Sequence, residues 1–525
     1  MTAKRIRWGA CAGEALARGA DVAADLVGAT LGPAGRSVLV GRSFAAPLML
    51  RGGHTLLQQL ELEDADQQMG VQAMRELAWR TSEEVGDGTS TAIVMARALL
   101  RAGLRAVSAG IAPADLQDAI DAHAKVVLRE LASAGRPVSG RDQLVPLATQ
   151  AAGGDTAIGA LVADAHEQVG PHGVVQVQEG RGSTDEIEIV PGLHFDQGWI
   201  SPHFVDDPKT QSVEIDDPLI IMHLGVLNDL GPIVPMLEMV AKAHRGLVLI
   251  AENVGGEALA TLVVNKQRAG FKVAAVKAPG AGAWRALMLD DIAVATGGAM
   301  VAEHLGTRLE HLRPQMAGRA ARIRITRSGT IITGGRADPA AIDLRRREIR
   351  DAIAREKHLS FDRDQHRKRL ARLEGGIATL RLGGSSAIEI ADRQKRAQSA
   401  SAAVQAAQEG GVVPGGSAAL IHAGRRARAV LPDDFLGRLV GQVFEAGLHA
   451  PLRIIADNAG LDGRMVVHRL AAGGDDTAFD VLGQNTVGSD FLGDPLPVLN
   501  AALSNAVSTA SRLLGASVTI TSDAA

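Results

Sequence analysis

The sequence predicts a multidomain protein of α and α/β parts, in which two helical ends fold together around an α/β middle. The chain has 525 residues and 46% of them are apolar, which is enough for about two to four domains with their own cores. Helical periodicity dominates residues 1–133 and returns after residue 387, whereas residues 191–377 alternate apolar strands with helices. The middle is therefore interpreted as an insertion into one helical domain.

Composition narrows the classes of function. The formal net charge is −4, with 55 Lys and Arg against 59 Asp and Glu, which argues against a nucleic-acid binder. The single cysteine, Cys11, excludes a disulfide framework or zinc cluster within one subunit and fits a reducing cytoplasm. The N-terminus lacks a signal-peptide core and no apolar run reaches about 18 residues, so we expect a cytoplasmic protein without a membrane span.

The first helical part has recognisable boundaries. Apolar residues from Leu16 to Val27 form one helix face, and Leu31-Gly32-Pro33 ends that helix because Gly and Pro terminate helices. Two short apolar runs predict strands and two longer periodic segments predict helices: 37–40 and 48–50, then 69–84 and 89–109.

The middle of the chain has the pattern of an α/β unit. Strands are predicted over residues 173–178, 186–190, 247–251 and 273–276, with a helix over 257–266 between the last two. Charges of both signs crowd residues 345–372, which we interpret as a pair of solvated helices with i,i+4 ion pairs. A Gly-rich loop over 410–417 opens a helix in the last part.

The loop Gly86-Asp87-Gly88-Thr89-Ser90-Thr91 lies between two predicted helices and is the most informative segment. It ends at a helix N-terminus, where free N–H groups and the helix dipole favour an anion. Asp87 adds a hard oxygen ligand suited to Mg²⁺. These features indicate a triphosphate site without the usual P-loop, and the alternative is an ordinary interhelical turn capped by Thr89.

These segments together resemble the GroEL-type group I chaperonins, nearly from end to end. The matching words keep the family's order and spacing: Thr30-Leu31-Gly32-Pro33, Ser43-Phe44-Ala45, residues 60–64 (LELED), Gly86-Asp87-Gly88-Thr89, Phe195-Asp196, Ser201-Pro202, residues 257–265 (EALATLVVN), residues 276–280 (VKAPG), residues 450–453 (APLR) and Asp494-Pro495. No single word is decisive, but their order over the whole chain makes chance similarity implausible.

The resemblance implies a chaperonin fold of three domains. An all-α equatorial domain, residues 1–133 and 411–525, is expected to hold ATP and form ring contacts. A small α/β intermediate domain, residues 134–190 and 378–410, is expected to act as a hinge, and an α/β apical domain, residues 191–377, to bind clients. The implied partners are unfolded or partly folded proteins, further copies of the chain in homo-oligomeric rings, and a co-chaperonin of the GroES type.

The same resemblance implies ATP and Mg²⁺ as cofactors, with Asp87 as the metal ligand. The positions that match the family's nucleotide residues are Thr30, Leu31, Gly32, Pro33, Arg51, Asp87, Gly88, Thr89, Ser90, Thr91, Gly415, Asp480 and Asp494. The family's two water-activating aspartates are missing, because Gly52 and Ser399 occupy their positions. We therefore predict nucleotide binding with very slow turnover.

Two apolar helices are predicted in the middle part, over residues 232–242 and 257–266. Their pattern alone favours packing into the domain core. The resemblance instead implies that part of this surface binds exposed apolar segments of client proteins, at Trp199, His203, Phe204, Val234, Leu237, Leu259, Val263 and Val264.

Three functions are compatible with these observations: an ATP-dependent folding chaperone, a specialised holding or assembly scaffold for a restricted client, and a small-molecule α/β enzyme. The last has little support, since no nucleophile–base pair or cofactor fingerprint stands out. The retained binding residues and the missing acids favour a divergent chaperonin with weakened hydrolysis, or a scaffold that does not hydrolyse ATP at all.

Overall fold

The computed structural model describes residues 4–41, 48–50, 52–138, 140–170, 173–180, 182–207, 210–243, 245–303, 306–355, 361–488 and 492–522. The chain divides into two units: Met1–Asp164 with Ala387–Ala525, and Ala165–Ser386. The two ends thus share one unit and the middle is inserted between them, as the sequence predicted. The finer division into three domains stays a prediction, since the segments assigned to the hinge are distributed over both units.

The N-terminal part of the first unit is mainly helical. Its elements are β1 (Lys4–Trp8), α1 (Gly9–Gly28), β2 (Val38–Val40), β3 (Leu48–Leu50), α2 (Gly53–Leu57), α3 (Ala65–Val85), α4 (Thr89–Ser108), α5 (Pro113–Ser133), α6 (Arg141–Ala151) and α7 (Thr156–Val169), in which the boundary between the units falls. The predicted strands and helices of this part are confirmed. Asp64 caps α3 by accepting hydrogen bonds from the N–H groups of Asp66 and Gln67.

The inserted unit is built on one mixed sheet. Its elements are β4 (Val174–Glu179), β5 (Glu186–Phe195), β6 (Val213–Asp216), β7 (Leu219–Leu227), α8 (Val234–Lys242), β8 (Leu247–Val254), α9 (Gly256–Ala269), β9 (Val273–Lys277), α10 (Ala283–Thr296), β10 (Met300–Val301), β11 (Gly318–Ile325), β12 (Thr330–Gly335), α11 (Pro339–Arg355), α12 (Phe361–Glu374) and β13 (Gly376–Leu382). The strand order is β4-β13-β5-β12-β11-β7-β8-β9, with β6 on β11 and β10 on β7. Strands β7, β8 and β9 are parallel, which confirms the predicted α/β pattern.

The charged segment of this unit differs from its prediction. Helices α11 and α12 form, but Arg369 is only 3% exposed and its Nε donates to Asp291 Oδ2 at 2.6 Å. Arg345 donates to the other oxygen of Asp291 at 2.8 Å. The expectation of two simply solvated helices is wrong on this face, because a buried carboxylate on α10 requires compensation that surface patterning cannot reveal.

The C-terminal part returns to the first unit. Its elements are α13 (Ala387–Gly410), β14 (Val412–Pro414), α14 (Ala418–Arg428), α15 (Phe435–Asn458), α16 (Gly463–Ala471), β15 (Thr477–Asp480), β16 (Asn485–Gly488), β17 (Gly493–Pro495), α17 (Leu496–Leu514) and β18 (Val518–Ser522).

One core joins the two ends of the chain. Helix α4 packs against α1, α15 and α17, and residues such as Leu99, Phe444 and Leu503 are buried together between them. Strands β1 and β18 pair antiparallel, from Lys4 opposite Ser522 to Trp8 opposite Val518. Among the helices that the structure describes, none is both long and apolar enough to cross a bilayer.

Candidate functional site

The loop between α3 and α4 is held in a tight, left-handed path. Gly86 has φ 71° and Gly88 has φ 78°. A Cβ on Gly86 would lie 2.7 Å from the Cβ of Ala402 on α13, and one on Gly88 would lie 2.6 Å from Cγ1 of Val498 on α17. Both the backbone angles and the close neighbours therefore require glycine at these positions.

The N-terminus of α4 is left open for a ligand. Gly88 is the N-cap and makes no side-chain cap hydrogen bond, while the first intrahelical bond here runs from Ala92 N–H to Gly88 O at 3.0 Å. The N–H groups of Thr89, Ser90 and Thr91 precede this first intrahelical donor and have no acceptor within the helix. Thr89 is the first residue of the helix rather than its cap, which disfavours the interpretation as an ordinary capped turn.

Asp87 lies in this loop as a carboxylate short of compensating charge. Burial raises its pKa to about 6, with a further contribution from the negative charge of Asp494, against a lowering by the Gly88 N–H. A divalent cation at Asp87 would supply the positive charge that its surroundings lack. The residues present therefore fit a bound Mg²⁺.

Asp494 on β17 is buried and bonded through both oxygens. Its Oδ1 accepts from Gln150 Nε2 on α6 at 2.6 Å, and its Oδ2 accepts from the Ser417 N–H at 2.7 Å. Burial raises the pKa of Asp494, and the hydrogen bonds from Ser417, Gln150 and Gly416 oppose that rise. Gln150 Oε1 is buried and has no hydrogen-bond partner in the described structure.

The Gly-rich loop after α13 packs directly on the strand that carries Asp494. Strand β14 pairs antiparallel with β17, which places Val413 opposite Asp494. A Cβ on Gly415 would lie 2.7 Å from the backbone N of Gly493, so only glycine fits there. Ser417 follows with φ 65°, an uncommon left-handed conformation for a residue with a side chain.

The turn over residues 30–33 is anchored to the end of α15. Asn458 Nδ2 donates to Gly28 O at 2.8 Å and to Leu31 O at 2.9 Å. Thr30 Oγ1 donates to Val27 O at 2.8 Å. A Cβ on Gly32, which has φ 83°, would lie 2.9 Å from Cγ2 of Ile455. The sequence motif identified the turn, but it did not identify Asn458 as the residue that holds it.

Asp480 ends β15, and its Oδ1 accepts from the Leu482 N–H at 3.0 Å. The preceding Phe479 packs in a cluster with Ile455 and the partly buried Leu31, which brings this strand end close to the 30–33 turn. Pro33 itself is exposed. Arg51 lies outside the described residues, so its predicted contact with the nucleotide stays a prediction.

Gly52 and Ser399, the two positions where the resemblance implies an aspartate, carry no charge. Gly52 precedes α2 with φ 85° and ψ 138°, and a Cβ there would meet nothing within 4 Å. The next residue, Gly53, lies beside the 86–91 loop, since its Cβ would be 3.2 Å from Thr89 Oγ1. Ser399 lies three residues before Ala402 on α13, hence on the helix side that contacts Gly86.

Apart from Arg51, which lies outside the described residues, the residues predicted to bind nucleotide thus lie in one part of the first unit. The negative charge of Asp494 influences Asp87 in the 86–91 loop. Asp494 also accepts a hydrogen bond from the Ser417 N–H in the 415–417 loop. Leu31 of the 30–33 turn packs in the same cluster as Phe479, next to that loop. Sequence reasoning missed Gln150 and Asn458. A polar amide within an apolar helix pattern is the signal that marks such residues, but it does not identify their partners.

The predicted client residues of the inserted unit differ in exposure. Met236 and Val240 of α8 and Leu262 of α9, which are not among the predicted client residues, turn into the core. Val234 and Val264 are 41% and 45% exposed. The remaining predicted residues range from exposed to partly buried: His203, then Leu237, Leu259, Val263 and Trp199.

Phe204 is fully buried in the core of the inserted unit. Phe204 therefore packs beneath the predicted client surface in this structure and does not form part of it, in contrast to the prediction. Trp199 is fixed by a hydrogen bond from its Nε1 to Gln211 O at 3.1 Å.

Comparisons with known proteins agree over nearly the whole chain. The model of the TCP-1/cpn60 chaperonin family matches residues 23–223 and 231–523. Two relatives from Cereibacter sphaeroides, both named Chaperonin GroEL 2, are each 41% identical over 525 residues, covering 99% of this chain and 96% of the relative. The crystal structure of the chaperonin gp146 from bacteriophage EL 2, obtained in the presence of ATP-BeFx, is similar in fold with a TM-score of 0.74, at 18% identity and 98% coverage of both chains.

Proposed function

Because this chain belongs to the TCP-1/cpn60 chaperonin family, we propose that it is a ring-forming chaperone that binds ATP with Mg²⁺ but hydrolyses it slowly. Membership of this family makes it a molecular chaperone; the nucleotide and its turnover are the proposed part. One observation carries the proposal: the sequence has residues that match the family's nucleotide-binding positions, but it has Gly52 and Ser399 where activating carboxylates are expected.

Nucleotide binding follows from the chemistry of the pocket residues. The N–H groups of Thr89, Ser90 and Thr91 would bind phosphate oxygens at the positive end of the α4 dipole. Asp87 would hold Mg²⁺, which when bound neutralises phosphate charge. The buried carboxylate of Asp494 is suited to accept a hydrogen bond from a ribose hydroxyl, in competition with the bond from Gln150.

Slow hydrolysis follows from the two residues, Gly52 and Ser399, that occupy the expected positions of the activating acids. A general base must lie within hydrogen-bond reach of the attacking water, and its loss costs about 10²–10⁴-fold in rate. Gly52 has no side chain, and the Ser399 hydroxyl cannot accept a proton at neutral pH. Water would therefore be oriented without being activated.

Client binding is proposed for the apolar surface of α8 and α9. Val234 and Val264 expose more than a third of their surface, with Leu237, Leu259 and Val263 partly buried beside the core. Such a surface binds exposed apolar segments of many sequences, because burial of apolar area does not depend on a specific pattern. Repetition around a ring would raise the affinity through effective concentration.

Ring formation is supported by two exposed sheets of the first unit. Strands β1 and β18 form a two-stranded sheet that exposes Ile6, Trp8 and Ile520, and β2 and β3 form another that exposes Leu39 and Met49. Two-stranded sheets are marginal alone, and open edges pair with further strands. Strand addition between neighbouring subunits would cover both. A GroES-type co-chaperonin and a cytoplasmic location belong to the same proposal.

A second candidate is a holding or assembly scaffold that does not turn over ATP. The absence of a carboxylate at both Gly52 and Ser399 favours it, since one loss alone would leave partial activation of water. The two candidates share the nucleotide and client surfaces and differ only in whether hydrolysis occurs.

Calorimetric titration with ATP and Mg²⁺, followed by single-turnover hydrolysis, tests the proposal. We expect saturable ATP binding that is lost in Asp87→Ala, with single-turnover hydrolysis at least about tenfold below that of a GroEL-type chaperonin measured in parallel. Hydrolysis at the parallel rate would refute slow turnover. No ATP binding would refute both candidates, and binding without any detectable phosphate release would select the scaffold.

A further inference from the structure

Gln150 lies in the last turn of α6, beside β17. Two glycines turn the chain back after this helix, with φ 72° at Gly153 and 90° at Gly154. Their N–H groups donate to Gln150 O at 3.0 Å and to Thr149 O at 2.9 Å. These bonds satisfy the last carbonyls of α6 and hold the backbone of Gln150 in place. The Gln150 side chain therefore extends from a fixed helix end.

The hydrogen bond to Asp494 fixes which way the Gln150 amide faces. Both oxygens of Asp494 are acceptors, because Oδ2 takes the Ser417 N–H at 2.7 Å and Oδ1 lies 2.6 Å from the Gln150 amide. A carboxylate oxygen accepts and does not donate, so the amide must present its Nε2 to Asp494. Its Oε1 therefore lies on the other side of the amide and is left for another partner.

Oε1 of Gln150 is an acceptor without a donor. The atom is buried, and no donor among the residues that the structure describes bonds to it. A buried amide oxygen without a hydrogen bond costs free energy, and most such groups in folded proteins are paired. A ligand that donates a hydrogen bond would supply the missing partner at this point.

Gln150 and Asp494 together offer two neighbouring acceptors that suit a vicinal diol. Oδ1 of Asp494 has a second lone pair beside the one that accepts from Nε2, and Oε1 of Gln150 has both lone pairs available. The two acceptors lie close together, because Nε2 and Oε1 share one carbon atom. Adjacent hydroxyls of a sugar can donate one hydrogen bond to each acceptor, whereas a single hydroxyl can donate to only one of them.

We propose that Gln150 makes the site selective for ribonucleotides, by accepting a hydrogen bond from one ribose hydroxyl while Asp494 accepts from the other. This inference rests on the proposed ATP site and adds a residue that the family resemblance did not indicate. Where the first hydroxyl competes with Nε2 for Oδ1 of Asp494, the second compensates by donating to Oε1. A site built to bond a hydroxyl rejects the analogue that lacks it, because a buried acceptor is then left unpaired.

Titration calorimetry with Mg²⁺ and either ATP, 2′-deoxy-ATP or 3′-deoxy-ATP tests this role. The wild-type chain should bind each deoxy analogue about tenfold or more weakly than ATP, since each analogue leaves one buried acceptor unpaired. Gln150→Met removes the amide but keeps a side chain of similar length. In this variant ATP should bind about tenfold more weakly, and the penalty should vanish for one analogue and persist for the other, which still lacks the bond to Asp494.

Gln143→Met is the matched control, because Gln143 is an exposed glutamine near the start of the same helix. This variant should bind ATP like the wild-type chain and keep both penalties. Thermal unfolding of the two variants separates a loss of sugar recognition from a loss of the fold. The two penalties of the wild-type chain are measured without any substitution, so they hold even where Gln150→Met folds poorly.

Other results would overturn the role of Gln150 while leaving the ATP site intact. One is ATP binding by the wild-type chain with no penalty for either analogue, or with the same two penalties in Gln150→Met. Another is tighter ATP binding by Gln150→Met, because Gln150 would then only compete with ribose for Asp494. A third is a loss, in Gln150→Met, of discrimination against purine riboside triphosphate alone, which would assign Oε1 to the amino group of adenine. No ATP binding by the wild-type chain would instead refute the nucleotide site and this inference with it.

Discussion

Gln150 of α6 donates a hydrogen bond to Asp494 of β17 at 2.6 Å, across 344 positions of sequence. The bond links a segment predicted to act as a hinge to the residue predicted to bind ribose. Gln150→Leu should lower the free energy of unfolding by about 1.5–3 kcal/mol, since it removes a hydrogen bond to a buried charged group. Urea unfolding without nucleotide measures this loss. Gln398→Leu, an exposed position on α13, is the control, and equal effects of the two changes would contradict the assignment.

Asp87 provides a prediction with a defined pH dependence. Its pKa is raised to about 6, so between about pH 4 and pH 6 the folded protein binds more protons than the unfolded chain. Ionisation of Asp87 therefore costs stability, and the cost grows as the pH rises through this range. Asp87→Asn should stabilise the nucleotide-free protein at about pH 8 but hardly at about pH 4. Unfolding in EDTA at both pH values measures this, and equal gains would exclude Asp87 as the cause.

An aspartate introduced at Ser399 should speed up ATP hydrolysis. Ser399→Asp places a carboxylate on the side of α13 that contacts the 86–91 loop, and single-turnover ATP hydrolysis should rise by about tenfold or more. Gln398→Asp adds the same charge one position away, on a different side of the helix, and should leave the rate unchanged. A rise in both variants would show that charge alone, rather than position, alters the rate.

Gly52→Asp is expected to contribute less than Ser399→Asp. The space around a Cβ at this position is open, but φ 85° with ψ 138° lies outside the regions that residues with side chains adopt readily. The local backbone must therefore shift before the carboxylate can act, at a cost of about 1–3 kcal/mol. Urea unfolding should show this cost for Gly52→Asp, while Gly52→Ala should show a similar cost without any gain in hydrolysis.

Ser417 holds a left-handed conformation that glycine adopts more easily. Ser417→Gly should stabilise the protein by about 1 kcal/mol, since its N–H still donates to Asp494 and the backbone strain is relieved. Ala418→Gly, in the first turn of α14, should instead lower the free energy of unfolding by up to about 1 kcal/mol, because glycine is a poor helix former. Denaturant unfolding of both variants checks the signs, and a loss in each would contradict the strain at Ser417.

Val264→Glu should abolish capture of a chemically unfolded protein while the oligomer stays intact. The side chain is 45% exposed on α9, so a carboxylate there disrupts an apolar surface without entering the core. Val430→Glu, at a position 65% exposed in the first unit, adds the same charge far along the chain and serves as the control. Co-sedimentation with the unfolded protein measures capture, and retained capture by Val264→Glu would argue against α9 as the client surface.

Local signals in the sequence predicted the helical character of both chain ends, several strands and helices of the inserted unit, and the glycine-rich loops of the site. Periodicity located α3, α4, β8 and β9, and the glycines at 86 and 88 marked the loop, because backbone angles and helix faces are local properties. Gln150 and Asn458 escaped prediction, since their roles depend on partners hundreds of positions away. The Arg345–Asp291–Arg369 cluster was misinterpreted for the same reason.

The packing of N-terminal and C-terminal helices in one core has a consequence for biosynthesis. The inserted unit, residues 165–386, has its own core and can fold while the ribosome is still translating the rest. Helix α4, in contrast, can pack early against α1, but the part of its apolar face that α15 and α17 bury stays uncovered until they are translated. At about 5–20 residues per second, that delay is of the order of half a minute. A protein of this kind is thus itself exposed, as a nascent chain, to the aggregation that chaperones prevent.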